Sequence, residues 1–275
     1  MDWIKVSLQA NDVDPEVMLA WVGELDFDAF ETEGDVLHAY VPASRFDPVS
    51  FGEQVKEFPF GGNLRWESAL IRDKNWNEAW EKQYEPVRID QQVTIRAPFH
   101  PPAHAGDLDL VIEPKMSFGT GHHPTTTLMI RLLLKGSVRG RTVLDLGCGS
   151  GVLGILASRL GASRVTGIDI DEWAVENSRE NCQRNRVDNM EIEMGDARAI
   201  GGRQFDCVLA NINRNILVKE MPAITRALNP GGRLLISGFL QQDLPVIRDS
   251  GEAAGLVYEE QVTENEWAAV SFLKP

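Results

Sequence analysis

Cysteine is scarce in this sequence. Only Cys148, Cys182 and Cys207 occur, an odd number without the paired spacing of a zinc site. That excludes a disulfide-stapled secreted fold and points to reduced thiols in a cytoplasmic protein. Basic residues are outnumbered: 27 Lys and Arg face 41 Asp and Glu, for a net charge of −14. A broad basic patch for nucleic acid or an anionic membrane is therefore not expected, and a basic partner suits the chain better. Long apolar runs are missing as well, none reaching the roughly 18 residues of a membrane span. The opening MDWIKVSLQA has an acid at Asp2 and no apolar stretch of the kind a signal peptide needs. Long repeats and low-complexity tracts are absent too. What remains is material for a packed interior: 43% of the 275 residues are hydrophobic, enough for one large domain or two unequal ones.

Residues 1–72 have the rhythm of a small α+β unit. An alternating run at the start precedes Asp14-Pro15, where proline suits a first helical turn. Alternating residues 29–32 and 36–41 flank Glu33-Gly34-Asp35, a hairpin turn. A helical stretch from Phe46 and a closing strand over 64–71 complete the order β-α-β-β-α-β, the ferredoxin-like split motif. This segment holds 14 acids and 5 bases, most of the excess negative charge. The excess suits either a solvated face or complementarity to a basic partner.

Residues 73–86 read as a connecting helix, with Trp76, Trp80 and Tyr84 four apart on one face and Pro86 as its stop. In the loop 97–108, Pro101 and Pro102 forbid the helix that would align His100 with His104, and no metal site is expected. From Arg141 onward short β-rich runs alternate with helical segments starting near Val152, Glu172, Ile216 and Leu240. The alternation predicts a mostly parallel sheet covered on both faces. Two final alternating runs, 256–262 and 267–273, read as a hairpin that adds an antiparallel strand at the edge.

The sharpest local motif is VLDLGCGSGVLG, residues 143–154, a strand running through glycines into a helix. Such a junction lets backbone approach a ligand closely. Its spacing also matches a dinucleotide fingerprint, with Asp169 where a ribose-binding acid would stand. Asp145 argues otherwise. A carboxylate beside the ligand repels a pyrophosphate but suits a cation, and S-adenosyl-L-methionine (SAM) carries an ammonium and a sulfonium without phosphate.

The successive segments Asp145-x-Gly147-x-Gly149-x-Gly151, Gly167-Ile168-Asp169, Gly195-Asp196 and Leu209-Ala210-Asn211 resemble those of class I SAM-dependent methyltransferases. FGTGHHPTT, residues 118–126, is more specific. With the small first domain, it makes nearly the whole chain similar to the ribosomal protein L11 methyltransferase (PrmA) family. The resemblance implies a seven-stranded Rossmann-like methyltransferase domain over 87–275 behind a ferredoxin-like recognition domain. It implies transfer of methyl from SAM to lysine and α-amino nitrogens of the ribosomal protein, free or on the ribosome, without sequence-specific binding of nucleic acid.

Carried over residue by residue, the resemblance implies SAM contacts at Thr126, Gly147, Asp169 and Asn211, with Asp145 and Gly149 beside them. Asp169 would take the ribose hydroxyls and Asn211 would position the acceptor. Asp196 serves either the adenine amino group or a helix cap; Asp171 reads as the cap of the helix from Glu172. His122 and His123 read either as a general base or as supports of their loop. Asn211-Ile212-Asn213 departs from the Asn-Pro-Pro-aromatic signature of enzymes that methylate base or amide nitrogens, which favours an amine acceptor. The alternatives are a methyltransferase for RNA or a small amine and, more distantly, a nicotinamide-dependent oxidoreductase.

Overall fold

The computed structural model describes residues 2–10, 13–59, 64–71, 84–115 and 118–275. Its chain divides into two compact units, Met1–Gln83 and Tyr84–Pro275. Trp76 and Trp80 of the expected connecting helix lie outside the described residues; residues 84–86 have no regular structure.

In the first unit the elements run β1 (Trp3–Gln9), α1 (Pro15–Val22), β2 (Ala29–Glu33), β3 (Val36–Pro42), α2 (Pro48–Lys56) and β4 (Arg65–Ile71). The strands form an antiparallel sheet in the order β2-β3-β1-β4, the expected ferredoxin-like arrangement. Alternation places Val6 and Leu8 of β1 beside Leu37 and Ala39 of β3, in one core with Met18, Val22 and Phe51. Asp47 starts α2 by accepting the Val49 N–H at 3.0 Å, with Pro48 in the first turn.

The second unit opens with three short strands, β5 (Val87–Ile89), β6 (Val93–Arg96) and β7 (Leu108–Val111), which form a sheet of their own. There follow α3 (Pro124–Lys135), β8 (Thr142–Leu146), α4 (Val152–Arg159), β9 (Arg164–Asp169), α5 (Glu172–Arg184), β10 (Met190–Met194) and β11 (Phe205–Asn211). The chain closes with α6 (Arg214–Arg226), β12 (Leu228–Leu240), α7 (Leu244–Ala253), β13 (Val257–Glu264) and β14 (Trp267–Leu273). Helix α6 starts two residues before the expected Ile216, because Asn213 caps it by accepting the Asn215 N–H at 2.9 Å. Helix α7 starts after the expected Leu240, because β12 stays paired to β14 as far as Leu240.

The large sheet has the order β10-β9-β8-β11-β12-β14-β13. Only β14 runs against the direction of the other six strands, and it lies inside the sheet with β13 outside it, which corrects the expected edge position. The side chains explain the exchange. Ala268, Ala269, Val270 and Phe272 of β14 are buried on both faces, whereas β13 alternates exposed and half-buried residues. One face of the sheet packs under α3, α4 and the small sheet, with Val143, Val165 and Leu209 turned that way. The other packs under α6 and α7, with Leu144, Leu146 and Val208 turned that way.

Candidate cofactor cleft

The strand order reverses beside β8, where β9 continues on one side and β11 on the other. An open α/β sheet binds its ligand there, beyond the carboxyl ends of the strands. A cleft of about 460 Å³ occupies this place, lined among others by Gly147, Gly149, Asp169, Asp196 and Asn211. The fold thus brings together five of the seven residues singled out from the sequence.

Glycines shape its floor. Gly147 and Gly149 have φ of +71° and +56°, the left-handed region that side chains resist. A Cβ on Gly147 would collide with Ile212 Cγ2, and one on Gly149 would stand 2.5 Å from the Phe118 carbonyl oxygen. Asp169, at the end of β9, organises the loop. Its Oδ2 accepts the Gly149 N–H at 2.8 Å and its Oδ1 the Asp171 N–H at 3.0 Å. Behind the loop, the buried Ser178 hydroxyl donates to the Gly149 carbonyl at 2.7 Å, and Asn181 Nδ2 donates to the Ser150 carbonyl at 2.9 Å.

The cleft is acidic. Among the described residues, Asp169, Asp171, Asp196 and Glu220 line it with one cation, Lys219, which pairs with Glu220 at 3.3 Å. Asp171 caps α5 by accepting the Trp173 N–H at 2.9 Å. Asp196 both lines the cleft and caps a short 3₁₀ turn, accepting the Arg198 N–H at 2.9 Å. The Arg198 guanidinium beside it holds its carboxyl below the usual range. Phe118, Leu146, Ile170, Ile212 and Ile216 supply apolar walls. Sequence reasoning missed most of these. Phe118 stood inside its own motif and Ile212 between two asparagines, but Ile216, Lys219 and Glu220 on α6 carried no local signal.

Asp145 lies elsewhere. It shares the face of Val143 on β8, beneath α4, where its side chain is 1% exposed and accepts the Gly154 N–H at 2.8 Å. Burial, reinforced by the Asp169 charge, pushes its pKa up to about 7. The reading that set Asp145 beside the ligand is thereby corrected: it braces the loop from below, and the negative lining comes from the other acids. Thr126 is likewise buried, in the first turn of α3, and among the described residues neither its hydroxyl nor the buried Asn211 Oδ1 has a hydrogen-bond partner.

The segment 118–126 is tied to the glycine loop. Ser150 donates to the Phe118 carbonyl through its N–H at 2.8 Å and to the Gly119 carbonyl through its hydroxyl at 2.6 Å. His122 Nε2 stands 2.9 Å from the Glu85 carbonyl, with the Tyr84 ring 4.5 Å away. His123 caps α3, its Nδ1 accepting the Thr125 N–H at 3.3 Å, and it packs edge-on against Trp267. Burial lowers its pKa, consistent with a neutral acceptor. Both rings support the loop. His100 does the same nearby: its Nδ1 accepts the Ala97 N–H at 3.1 Å, and its Nε2 lies 2.5 Å from the Tyr84 carbonyl.

A seven-stranded sheet of this order, with one antiparallel strand and an acidic, glycine-floored cleft at the switch point, defines a class I SAM-dependent methyltransferase. A profile of the family described as ribosomal protein L11 methyltransferase (PrmA) matches residues 19–275. The ribosomal protein L11 methyltransferase of Porphyromonas gingivalis is 43% identical over 260 residues, 94% of this chain and 90% of its own. That of Phocaeicola vulgatus is 40% identical over 267 residues, 96% and 95% of the two chains. Among solved structures, the ribosomal protein L11 methylase of Lactobacillus delbrueckii subsp. bulgaricus matches with a TM-score of 0.64 and 25% identity, over 69% of this chain and 98% of that one. The chain belongs to the ribosomal protein L11 methyltransferase family. The oxidoreductase alternative falls with that assignment.

Proposed function

We propose that this chain transfers methyl groups from SAM to amino nitrogens of ribosomal protein L11, on lysine side chains and the α-amino group. The acidic cleft carries the choice of donor. With Asp196 paired to Arg198 and Glu220 to Lys219, the Asp169 and Asp171 carboxylates leave a net negative lining. That lining repels a pyrophosphate and suits a ligand bearing an ammonium and a sulfonium. The residues fit such a group. Each Asp169 oxygen has accepted one backbone N–H and keeps a lone pair for a ribose hydroxyl. Asn211 Oδ1, in the cleft lining, is a buried acceptor without a partner among the described residues. Gly147 would allow close backbone approach, and Asp196 would face the adenine amino group. When bound, SAM supplies an electrophilic methyl.

The chain's own part is to present a neutral amine in line with that methyl. A lysine of pKa about 10.4 is neutral in roughly one molecule in a thousand near pH 7.4. The apolar walls of Phe118, Ile212 and Ile216 favour the uncharged amine by desolvation. Asn211, at the end of β11, would orient its nitrogen, and fixed alignment supplies much of the acceleration. Residues 1–72, with their 14 acids and 5 bases, would capture the basic substrate protein.

The test is transfer of labelled methyl from SAM, with purified L11, ribosomal RNA and small amines offered separately. Label on L11 amino groups is the expected result. Label on RNA or small amines with L11 unmodified would overturn the reading.

A further inference from the structure

Between Glu113 and Asp169 the chain holds seven Lys and Arg but only one acid, the buried Asp145. In a protein of net charge −14 this is a segregated basic block. Three of its bases are neutralised, Lys115 by Glu180, Arg131 by Glu264 and Lys135 by Glu260. Arg139, Arg141 and Arg164 are exposed, and their side chains have no ion-pair or hydrogen-bond partner among the described residues.

The fold brings the backbone at these three to one end of the large sheet. Arg164 opens β9 in register with Thr142, the residue after Arg141, and the Ser163 N–H donates to the Arg141 carbonyl at 2.8 Å. The Arg139 side chain lies over Gly161, its Cγ 3.5 Å from where a Cβ would stand. Of the acids nearby, Asp206 is engaged by the Thr142 N–H at 2.9 Å and by Asn229 at 2.9 Å, and the Arg141 charge helps to hold its carboxyl below the usual range; Asp188, before β10, is exposed. The group sits at the amino ends of β8 and β9, about 16 Å of strand from the cleft.

We propose that this end of the large sheet binds the phosphate backbone of RNA, without reading its sequence. Guanidinium forks match phosphate oxygens in pairs, and arginines at or just before the starts of adjoining strands about 5 Å apart can contact one backbone. The overall acidity does not prevent this, because charges more than about 8 Å away are largely screened at physiological salt. The choice of RNA rests on the proposed ribosomal substrate, since that protein's surroundings are RNA; the anion site itself does not.

The experiment measures anisotropy of a labelled RNA hairpin titrated with the full-length protein over a range of salt. Binding should weaken at least about tenfold in the triple variant Arg139→Glu, Arg141→Glu, Arg164→Glu, and the slope of log affinity against log salt should fall by about one unit for each arginine in contact. The triple Arg→Lys variant should recover most of the affinity. Methylation of free substrate should stay unchanged in both, which separates this site from the proposed activity and reports folding; Arg164→Gln alone serves if the triple variant fails to fold. No RNA binding by the wild type, equal binding by the charge-reversed variant, or displacement of RNA by polyglutamate as effective as by unlabelled RNA would overturn the proposal. The last outcome would indicate an acidic protein partner.

Discussion

The carboxylate of Asp145 accepts the backbone N–H of Gly154 at 2.8 Å, from a position 1% exposed to solvent. That bond fastens the first turn of α4 to the end of β8, so the loop between them is held from below. Its energetics depend on pH.

The Asp145 carboxyl is raised in the folded chain to about 7, against an ordinary value near 3.9 in the unfolded chain. The folded state thus binds the proton more tightly. The stability contributed is fully present below about pH 4 and is lost as pH rises toward 7, by up to about 4 kcal/mol. Asp145→Asn keeps an acceptor for Gly154 and should flatten this dependence, leaving the variant more stable than wild type at pH 8. Urea unfolding at several pH values measures it, and parallel profiles for the two proteins would refute the role given to Asp145.

Asp169 uses one carboxylate oxygen for Gly149 and the other for Asp171, so its removal both loosens the loop and deletes an acceptor. Asp169→Ala should weaken SAM by about 1.5–3 kcal/mol. Titration calorimetry gives the number; unchanged affinity would take the ribose away from Asp169.

Gly147→Ala should be costly twice, through φ of +71° and through collision with Ile212. The strain alone is worth about 1–2 kcal/mol. Trimming the obstacle in Gly147→Ala with Ile212→Ala should restore part of the lost SAM affinity, with a coupling of about 1 kcal/mol or more. Strict additivity of the two changes would mean that the loop moves away from Ile212.

Asn211→Ala should lower kcat more than it weakens SAM, if the side chain orients the acceptor. Single-turnover rates beside calorimetry separate the two effects. Equal losses would make Asn211 a cofactor contact only.

A chain beginning at Tyr84 retains the large sheet and both of its cores. It should bind SAM nearly as the full chain does and fail to methylate intact L11, while a short lysine peptide remains a substrate. Methylation of the intact protein at the full-length rate would show that the acidic first unit is not needed for capture.

Much of this was legible beforehand where a residue's own chemistry dictates its conformation. Glycines at a strand–helix junction, the acid closing β9 and the asparagine closing β11 stand together because each ends a parallel strand beside the switch point. Asp145 was misjudged because alternation along β8 shows that it opposes Leu144 and Leu146 but not which face α4 covers. The place of β14 was hidden for another reason: periodicity describes a strand's faces, never its neighbours. Strands β5 and β6, of three and four residues, are too short for alternation to register. The lining from α6 was illegible because helix packing alone brings Lys219 and Glu220 to the cleft.

The interior position of β14 also has a consequence for biosynthesis. Every residue of the cleft precedes residue 221, yet β13 joins the sheet only through β14, which follows it in the chain. While β13 leaves the ribosome it has no strand to pair with, and β12 presents an open apolar edge of the kind that invites aggregation. The cleft's strands can assemble early, but the open edge of β12 is covered only once residues 267–273 have been made and bring β13 to the sheet with them.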